Sequence, residues 1–143
     1  MDFQSSVKTK KSTGFVKTFL MAIKKLNTFL NNIGMTIQTF CTVFENVPKK
    51  QQPGLILKTS MAGFSVTDRE AITAKINEIA QKFGDKCPPI HLLFGDLSEE
   101  QMTSLYHHPK VKSMISFTKG EGYGRPLCEF TLTGKPIIVS RWS

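Results

Sequence analysis

The residues with the most definite chemistry lie near the C-terminus, in residues 116–140, SFTKGEGYGRPLCEFTLTGKPIIVS. Gly120, Gly122 and Gly124 permit positive φ and close approach of a ligand to the backbone, because no Cβ stands in the way. Pro126 suits the first position of a helix, where its fixed φ is already helical and its missing N–H is not needed. A glycine-rich loop that opens a helix turns free amides toward an anion, and a diphosphate is the obvious occupant. Glu121 on the loop and Glu129 eight residues later flank that mouth from opposite sides. A carboxylate is repelled by a diphosphate, so neither glutamate should touch phosphate. Each can accept two charge-assisted hydrogen bonds from a vicinal diol, and a nucleotide sugar offers diols on both the sugar and the ribose.

Such a site needs a scaffold, and the preceding residues alternate strand and helix patterns. Residues 54–58 (GLILK) read as a buried strand. Residues 67–83 read as a helix that starts on a capping box, Thr67 with Glu70, and turns Ile72, Ile76, Ile79 and Phe83 to the core before Gly84 ends it. Residues 89–94 (PIHLLF) form a second strand, and 98–106 a helix with Ser98 as N-cap and Gln101 at the box position. A third strand over 112–117, a short helix over 126–132 stopped by Gly134, and a fourth strand over 135–140 complete the pattern. This alternation predicts an α/β domain, a Rossmann-like parallel sheet of about four strands with flanking helices. The glycine loop then falls at the carboxyl end of a strand, where open α/β sheets bind ligands.

Upstream the reading changes. Residues 1–13 have the polar, basic composition of a frayed arm. From Phe15, the apolar residues Phe19, Ile23, Leu26, Leu30, Ile33, Ile37, Phe40, Phe44 and Val47 recur at spacings of four and three, a helical stripe with Lys17, Lys24 and Lys25 off it. The cluster Asn31-Asn32-Ile33-Gly34 favours a break in that helix. The expected organisation is a basic, amphipathic helical extension over residues 1–31 and a Rossmann-like domain over 32–143.

With 143 residues, 40% apolar and 21% charged, the chain fits one compact domain. A domain of this size buries roughly 68% of the surface its unfolded chain exposes, enough for one core. An enzyme that needs a cleft between two full domains cannot be complete in it. The net charge of +8 is uneven: residues 1–50 carry eight basic and two acidic side chains, against eleven and nine over 51–143. The basic arm has neither interleaved aromatics nor a nucleic-acid module, so nucleic acid is not an expected partner. Cys41, Cys87 and Cys128 are odd in number and far apart, and read as reduced thiols of a cytoplasmic protein. The apolar stretch 19–23, bracketed by lysines, is too short for a membrane span or a signal peptide.

The run EGYGRPLCEFTLTGKPIIVS resembles the donor-binding signature of retaining glycosyltransferases of the two-Rossmann-domain GT-B fold, whose pattern is E-G-F-G-x-P-x-x-E, an apolar helix, G-x-P and a valine-rich strand. The order of elements is similar over roughly residues 32–143, and the last thirty residues carry the specific match. The resemblance implies transfer of a glycosyl group from a nucleotide sugar to an unknown acceptor, with retention and without a metal. It implies that Glu121 contacts donor-sugar hydroxyls, that Glu129 holds the ribose, and that Gly122, Tyr123, Gly124 and Arg125 line the donor site, with the amides around Gly124 and Arg125 facing the diphosphate. The segment Phe94-Gly95-Asp96-Leu97 resembles the family's base-contacting turn. No cluster of His, Cys or carboxylates at metal spacing is present in the sequence, in keeping with that chemistry. The chain departs from the family in two respects. The acceptor-binding domain is missing, and the place of the basic diphosphate clamp is taken by Phe29-Leu30-Asn31-Asn32-Ile33-Gly34, so both clamp cations look lost.

Several residues have a plainer reading beside the functional one. Lys58 and Lys119 could replace the clamp cations, but a lysine at a strand end is more often a solvated charge. Adjacent His107 and His108 point to different sides and suit a solvated helix end better than a ligand pair. Cys128 is expected to be a buried, inert thiol. The basic stripe over residues 15–30 could lie on an anionic membrane as a peripheral contact, although packing on its own domain is favoured. The leading function is the donor half of a glycosyltransferase, with little or no transfer by this chain alone. The alternative is a catalytically inactive fragment acting as an interaction or membrane-surface module.

Overall fold

The computed structural model describes residues 7–8, 18–60, 66–117 and 124–140. In chain order the elements are β1 (Val7–Lys8), β2 (Phe19–Lys25), α1 (Leu26–Phe44), β3 (Gly54–Ser60), α2 (Val66–Phe83), β4 (Ile90–Phe94), α3 (Glu99–His107), β5 (Val111–Ser116), α4 (Arg125–Thr131) and β6 (Ile137–Val139). A single 3₁₀ turn, Gly84–Lys86, follows α2. The strands form one sheet in the order β1-β4-β3-β2-β5-β6. Five are parallel, and β1 pairs antiparallel with β4 through Val7 opposite Leu92 and Lys8 opposite His91.

This is the expected Rossmann-like α/β sheet, with six strands where the sequence pattern suggested about four. The additions are β1 at one edge and β2, which lies at the centre of the sheet. It pairs with β3 from Phe19 opposite Gly54 to Lys25 opposite Ser60, and with β5 on its other side. The helical stripe expected from Phe15 therefore begins only at Leu26, and the boundary drawn between residues 31 and 32 falls inside α1. A short apolar run such as FLMAI fits a helix turn and a buried parallel strand equally well by periodicity, and burial on both faces decides for the strand. Met21 faces the cluster of Ile56, Leu105, Tyr106, Val111, Met114 and Phe130, while Ala22 faces that of Ile33, Ile37, Leu55, Leu57, Ile72 and Leu92. Residues 19–25 of the basic stripe are thus strand, and only residues from Leu26 onward are helix. Among the described residues no helix is long and apolar enough to cross a membrane.

Helix α1 also runs unbroken through Asn31, Asn32 and Gly34. A Cβ at Gly34 would meet Ile79 Cδ1 of α2 at 3.6 Å, an ordinary contact, so the glycine neither breaks the helix nor is demanded by the packing. Helices α1 and α2 bury Ile33, Ile37, Phe40, Ile72, Ile76 and Ile79 on one face of the sheet. On the opposite face, Leu105 and Tyr106 of α3 and Phe130 of α4 are buried. The capping box of α3 is formed as expected, Ser98 Oγ accepting from the Gln101 amide and Gln101 Oε1 from the Ser98 amide. Helix α2 includes Val66, which places Thr67 in its first turn and not at the cap. Most of residues 1–13 lie outside the described residues, but Val7 and Lys8 are strand, not frayed arm. The side chain of buried Gln52 ties two loops together by donating to the carbonyls of Phe44 (3.0 Å) and Lys86 (3.2 Å).

Two substitutions check this arrangement by urea denaturation. Met21→Ala should cost about 2–5 kcal/mol, as for a core residue emptied at full burial. Gly34→Ala should stabilise by about 1 kcal/mol, because α1 is continuous there and the added methyl fits.

Candidate functional site

A cleft of about 490 Å³ opens at the carboxyl ends of β3 and β4 and is bounded by α3 and α4. This is the sheet edge on which parallel α/β folds carry their ligands. Its floor includes Lys58 from the end of β3, together with Asp96 and Leu97 from the turn after β4. Its walls include Glu99 and Tyr106 of α3 and Arg125 and Glu129 of α4.

The first turn of α4 is built as its sequence dictates. Gly124 sits in the left-handed region at φ 57°, Pro126 follows in the first turn, and Gly134 at φ 71° lies in the turn beyond the helix. The Leu127 and Cys128 amides both donate to the Gly124 carbonyl, at 2.9 and 3.1 Å. Since Pro126 has no N–H, the amides left at this mouth are those of Gly124 and Arg125. Glu121, Gly122 and Tyr123 lie outside the described residues, as do Lys119 and Gly120. Of the expected donor-site residues, the structure therefore brings together Gly124, Arg125 and Glu129, with the Gly95–Leu97 turn across the cleft.

Arg125 Nε donates to Glu129 Oε1 at 2.5 Å, one helical turn apart, and Arg125 Nη2 donates to Glu99 Oε1 at 3.1 Å. On the other side, the hydroxyl of Tyr106 donates to Glu129 Oε2 at 3.5 Å. The hydrogen bond to Glu129, and then that to Glu99, hold the Arg125 proton more tightly than usual. Burial, reinforced by the Glu129 charge, pushes the Tyr106 phenol above its ordinary range, so it stays a donor at neutral pH. Glu99 and Tyr106 escaped the sequence reading. Glu99 was visible as an acidic residue in the first turn after the Ser98 cap, but nothing local linked it to Arg125 26 positions away.

Lys58 corrects an expectation. It is 3% exposed, not solvated, and its ammonium donates to the Gly95 carbonyl in the turn after β4. Burial lowers its proton affinity, and the Asp96 charge partly restores it. The place assigned to the lost clamp also moves. Residues 29–34 lie inside α1, and the strand that ends beside β3 on this edge of the sheet is β2, whose last residues are Lys24 and Lys25, opposite Thr59 and Ser60.

Other residues have structural duties. His107 is exposed at the end of α3, while half-buried His108 accepts the Lys110 amide through Nδ1 at 3.2 Å. Lys135, from the Gly-Lys-Pro segment, donates to the carbonyls of Tyr106 (2.6 Å) and His108 (2.9 Å) and so closes the C-terminus of α3. Cys128 is exposed, against expectation, because Phe130 takes the inward position of this short helix. Among the described residues no three His, Cys, Asp or Glu side chains are placed to hold a metal ion.

The fold is one half of the GT-B architecture, a Rossmann-like domain with its ligand edge at the strand ends. No family model and no curated protein matches the sequence. Solved structures do match the fold. An α,α-trehalose-phosphate synthase (UDP-forming) from Burkholderia xenovorans superposes with a TM-score of 0.67 at 13% identity, covering 89% of this chain and 30% of that one. An E. coli trehalose-6-phosphate structure bound with UDP-2-fluoro glucose gives 0.60 at 11% identity, covering 88% and 30%. The N-terminal domain of a trehalose-6-phosphate phosphatase from Candida albicans gives 0.60 at 17% identity, covering 89% and 28%. The chain thus spans under a third of the length of each of these structures.

Lys58 makes a pH prediction. Its native proton affinity lies below the ordinary value of 10.5, so the unfolded chain holds a proton that the native chain has given up across the interval between the two values. Stability contributed by this residue should rise with pH through that interval, and the cost of burying the charge is present in full below it. Urea midpoints of the wild type and Lys58→Met, taken from neutral pH to just above 10.5, should show the advantage of the variant shrinking as pH rises. A difference independent of pH would mean that the ammonium is not desolvated.

Proposed function

We propose that this chain is the donor-binding portion of a retaining glycosyltransferase, which holds a nucleoside-diphosphate sugar for transfer to an acceptor bound elsewhere. The observation that carries the proposal is the cleft at the carboxyl ends of β3 and β4, bordered by Arg125, Pro126 and Glu129 of the E-x7-E run. In this reading the ribose diol bonds to Glu129, and Glu121 orients the donor sugar. The diphosphate meets the amides of Gly124 and Arg125. The cation for the leaving diphosphate comes from Arg125, on the wall of the cleft. Stabilising that charge is the part of the chemistry that this half of the enzyme supplies. Departure of the nucleoside diphosphate and attack by the acceptor require exclusion of water, which needs a second domain over the cleft.

The similar structures suggest the ligands. The Burkholderia synthase is UDP-forming, the E. coli structure holds UDP-2-fluoro glucose, and a further Burkholderia structure is a complex with glucose-6-phosphate. A uridine nucleotide sugar as donor and a sugar phosphate as acceptor are accordingly the first pair to test.

Saturation-transfer NMR of the 143-residue chain against UDP, GDP, ADP and their sugar conjugates should show binding of one nucleotide class. Glu129→Ala should weaken it about ten- to a hundredfold, as expected when a charged hydrogen-bond acceptor worth about 1.5–3 kcal/mol is removed. Arg125→Ala should weaken the diphosphate forms more than the free nucleoside. Donor binding without transfer is the expected behaviour of these residues on their own. Absence of all binding at millimolar nucleotide in a folded sample would favour the interaction-module reading.

A further inference from the structure

The fold brings together two thiols that stand 46 positions apart in sequence. Cys41 Sγ, in the last turns of α1, lies 3.6 Å from Cys87 Sγ, in the loop between the 3₁₀ turn and β4. Cys41 is fully buried and Cys87 half-buried. Cys87 in turn lies 3.4 Å from the Pro88 carbonyl, to which it donates. The two segments are held in register independently of the sulfurs, because Gln52 bonds to Phe44 at the end of α1 and to Lys86 beside Cys87. The thiols therefore do not meet through a chance approach of mobile loops. They occupy a junction already fixed by a buried amide.

We propose that Cys41 and Cys87 are a reversible oxidation site, in which a peroxide oxidises Cys87 and Cys41 then closes an intramolecular disulfide. The Cys87 sulfur attacks one peroxide oxygen, the O–O bond breaks, and the products are a sulfenic acid and one water. The Cys41 sulfur attacks the sulfenyl sulfur, the S–O bond breaks, and the hydroxyl leaves with the Cys41 proton as a second water. Two thiols are oxidised by two electrons in all, and one peroxide is reduced. Cys87 is the first target because it is the more exposed. It also accepts a hydrogen bond from Cys41, which lowers its proton affinity against the effect of burial. The same hydrogen bond, and then burial, push the Cys41 thiol up, as suits a resolving thiol that reacts only with a neighbour already oxidised. Helix α1 runs against the direction of the strands, so this junction lies at the amino edge of the sheet, away from the cleft.

The test uses the full chain in a Cys128→Ser background, which removes the exposed thiol and with it cross-linking between molecules. After treatment with hydrogen peroxide the monomer should lose both remaining thiols to iodoacetamide. Peptide mapping should recover Cys41 linked to Cys87, and dithiothreitol should restore both thiols. The oxidised chain should unfold at a higher urea concentration than the reduced one, because the bond closes a long loop in the unfolded chain. Nucleotide binding at the cleft should be unchanged. In Cys87→Ser, Cys41 should stay reduced and reactive in denaturant. Oxidation of Cys87 to sulfinic acid with Cys41 still alkylated, or loss of the Cys41 thiol in Cys87→Ser, would overturn the proposal.

Discussion

Strand β2 is hydrogen-bonded to β3 along its whole length and to β5 from Phe19 to Met21, and both its faces are covered by helices. A strand in that position cannot be peripheral, because its removal would open two ladders and expose both cores. Its place also fixes the winding of the chain. From β2 the chain passes outward through β3 and β4 with α1 and α2 on one face, then returns through α3 to β5 and β6 on the other side of β2. Right-handed parallel crossovers put helices on opposite faces of a sheet when the direction of winding reverses. The reversal leaves a crevice at the strand ends, and the observed cleft opens on that edge.

The sequence shows the elements that carry local punctuation and misses those that do not, β1 and β2. Helix α3 was legible because Ser98 and Gln101 cap each other through neighbours three residues apart. Helix α4 was legible because Gly124, Pro126 and Gly134 mark its two ends. Strand β2 was not, since Phe19, Ile23 and Leu26 prolong the helical spacing of α1 directly backward, with no loop residue between Lys25 and Leu26 to end the pattern. Only the pairing with β3 and β5 distinguishes the two readings, and that pairing is long-range. The site divides in the same way. Arg125 and Glu129 share one helix and could be read from their spacing, whereas Glu99, Tyr106 and buried Lys58 reach the cleft from other elements.

The electrostatics of the cleft follow from that convergence. Arg125 stands between two carboxylates, Glu99 and Glu129, and both pairs are well exposed. Exposed ion pairs contribute at most about 1 kcal/mol each, so they orient side chains more than they stabilise the fold. Tyr106 acts differently, since it is buried and packs edge-on against Phe130 at 5.7 Å while its hydroxyl reaches Glu129. Glu129 is therefore held on one side by the Tyr106–Phe130 pair and on the other by the exposed Arg125 guanidinium.

The two edges of the sheet carry opposite physical demands. At the amino edge, buried Gln52 and the Cys41–Cys87 contact close gaps between α1 and the loop before β4. Their polar groups are satisfied within the protein, so ordering them adds rigidity without leaving donors for a ligand. At the carboxyl edge, strands end in Lys25 and in the Gly95 turn, and α4 begins on a left-handed glycine. There Arg125 pairs with Glu99 and Glu129 at the exposed surface of the cleft. Lys58 joins the two regimes, because its ammonium is used internally on the Gly95 carbonyl yet lies on the floor of the cleft. The Asp96 charge offsets part of the cost of burying it, so Lys58 serves the turn after β4 and the floor of the cleft together.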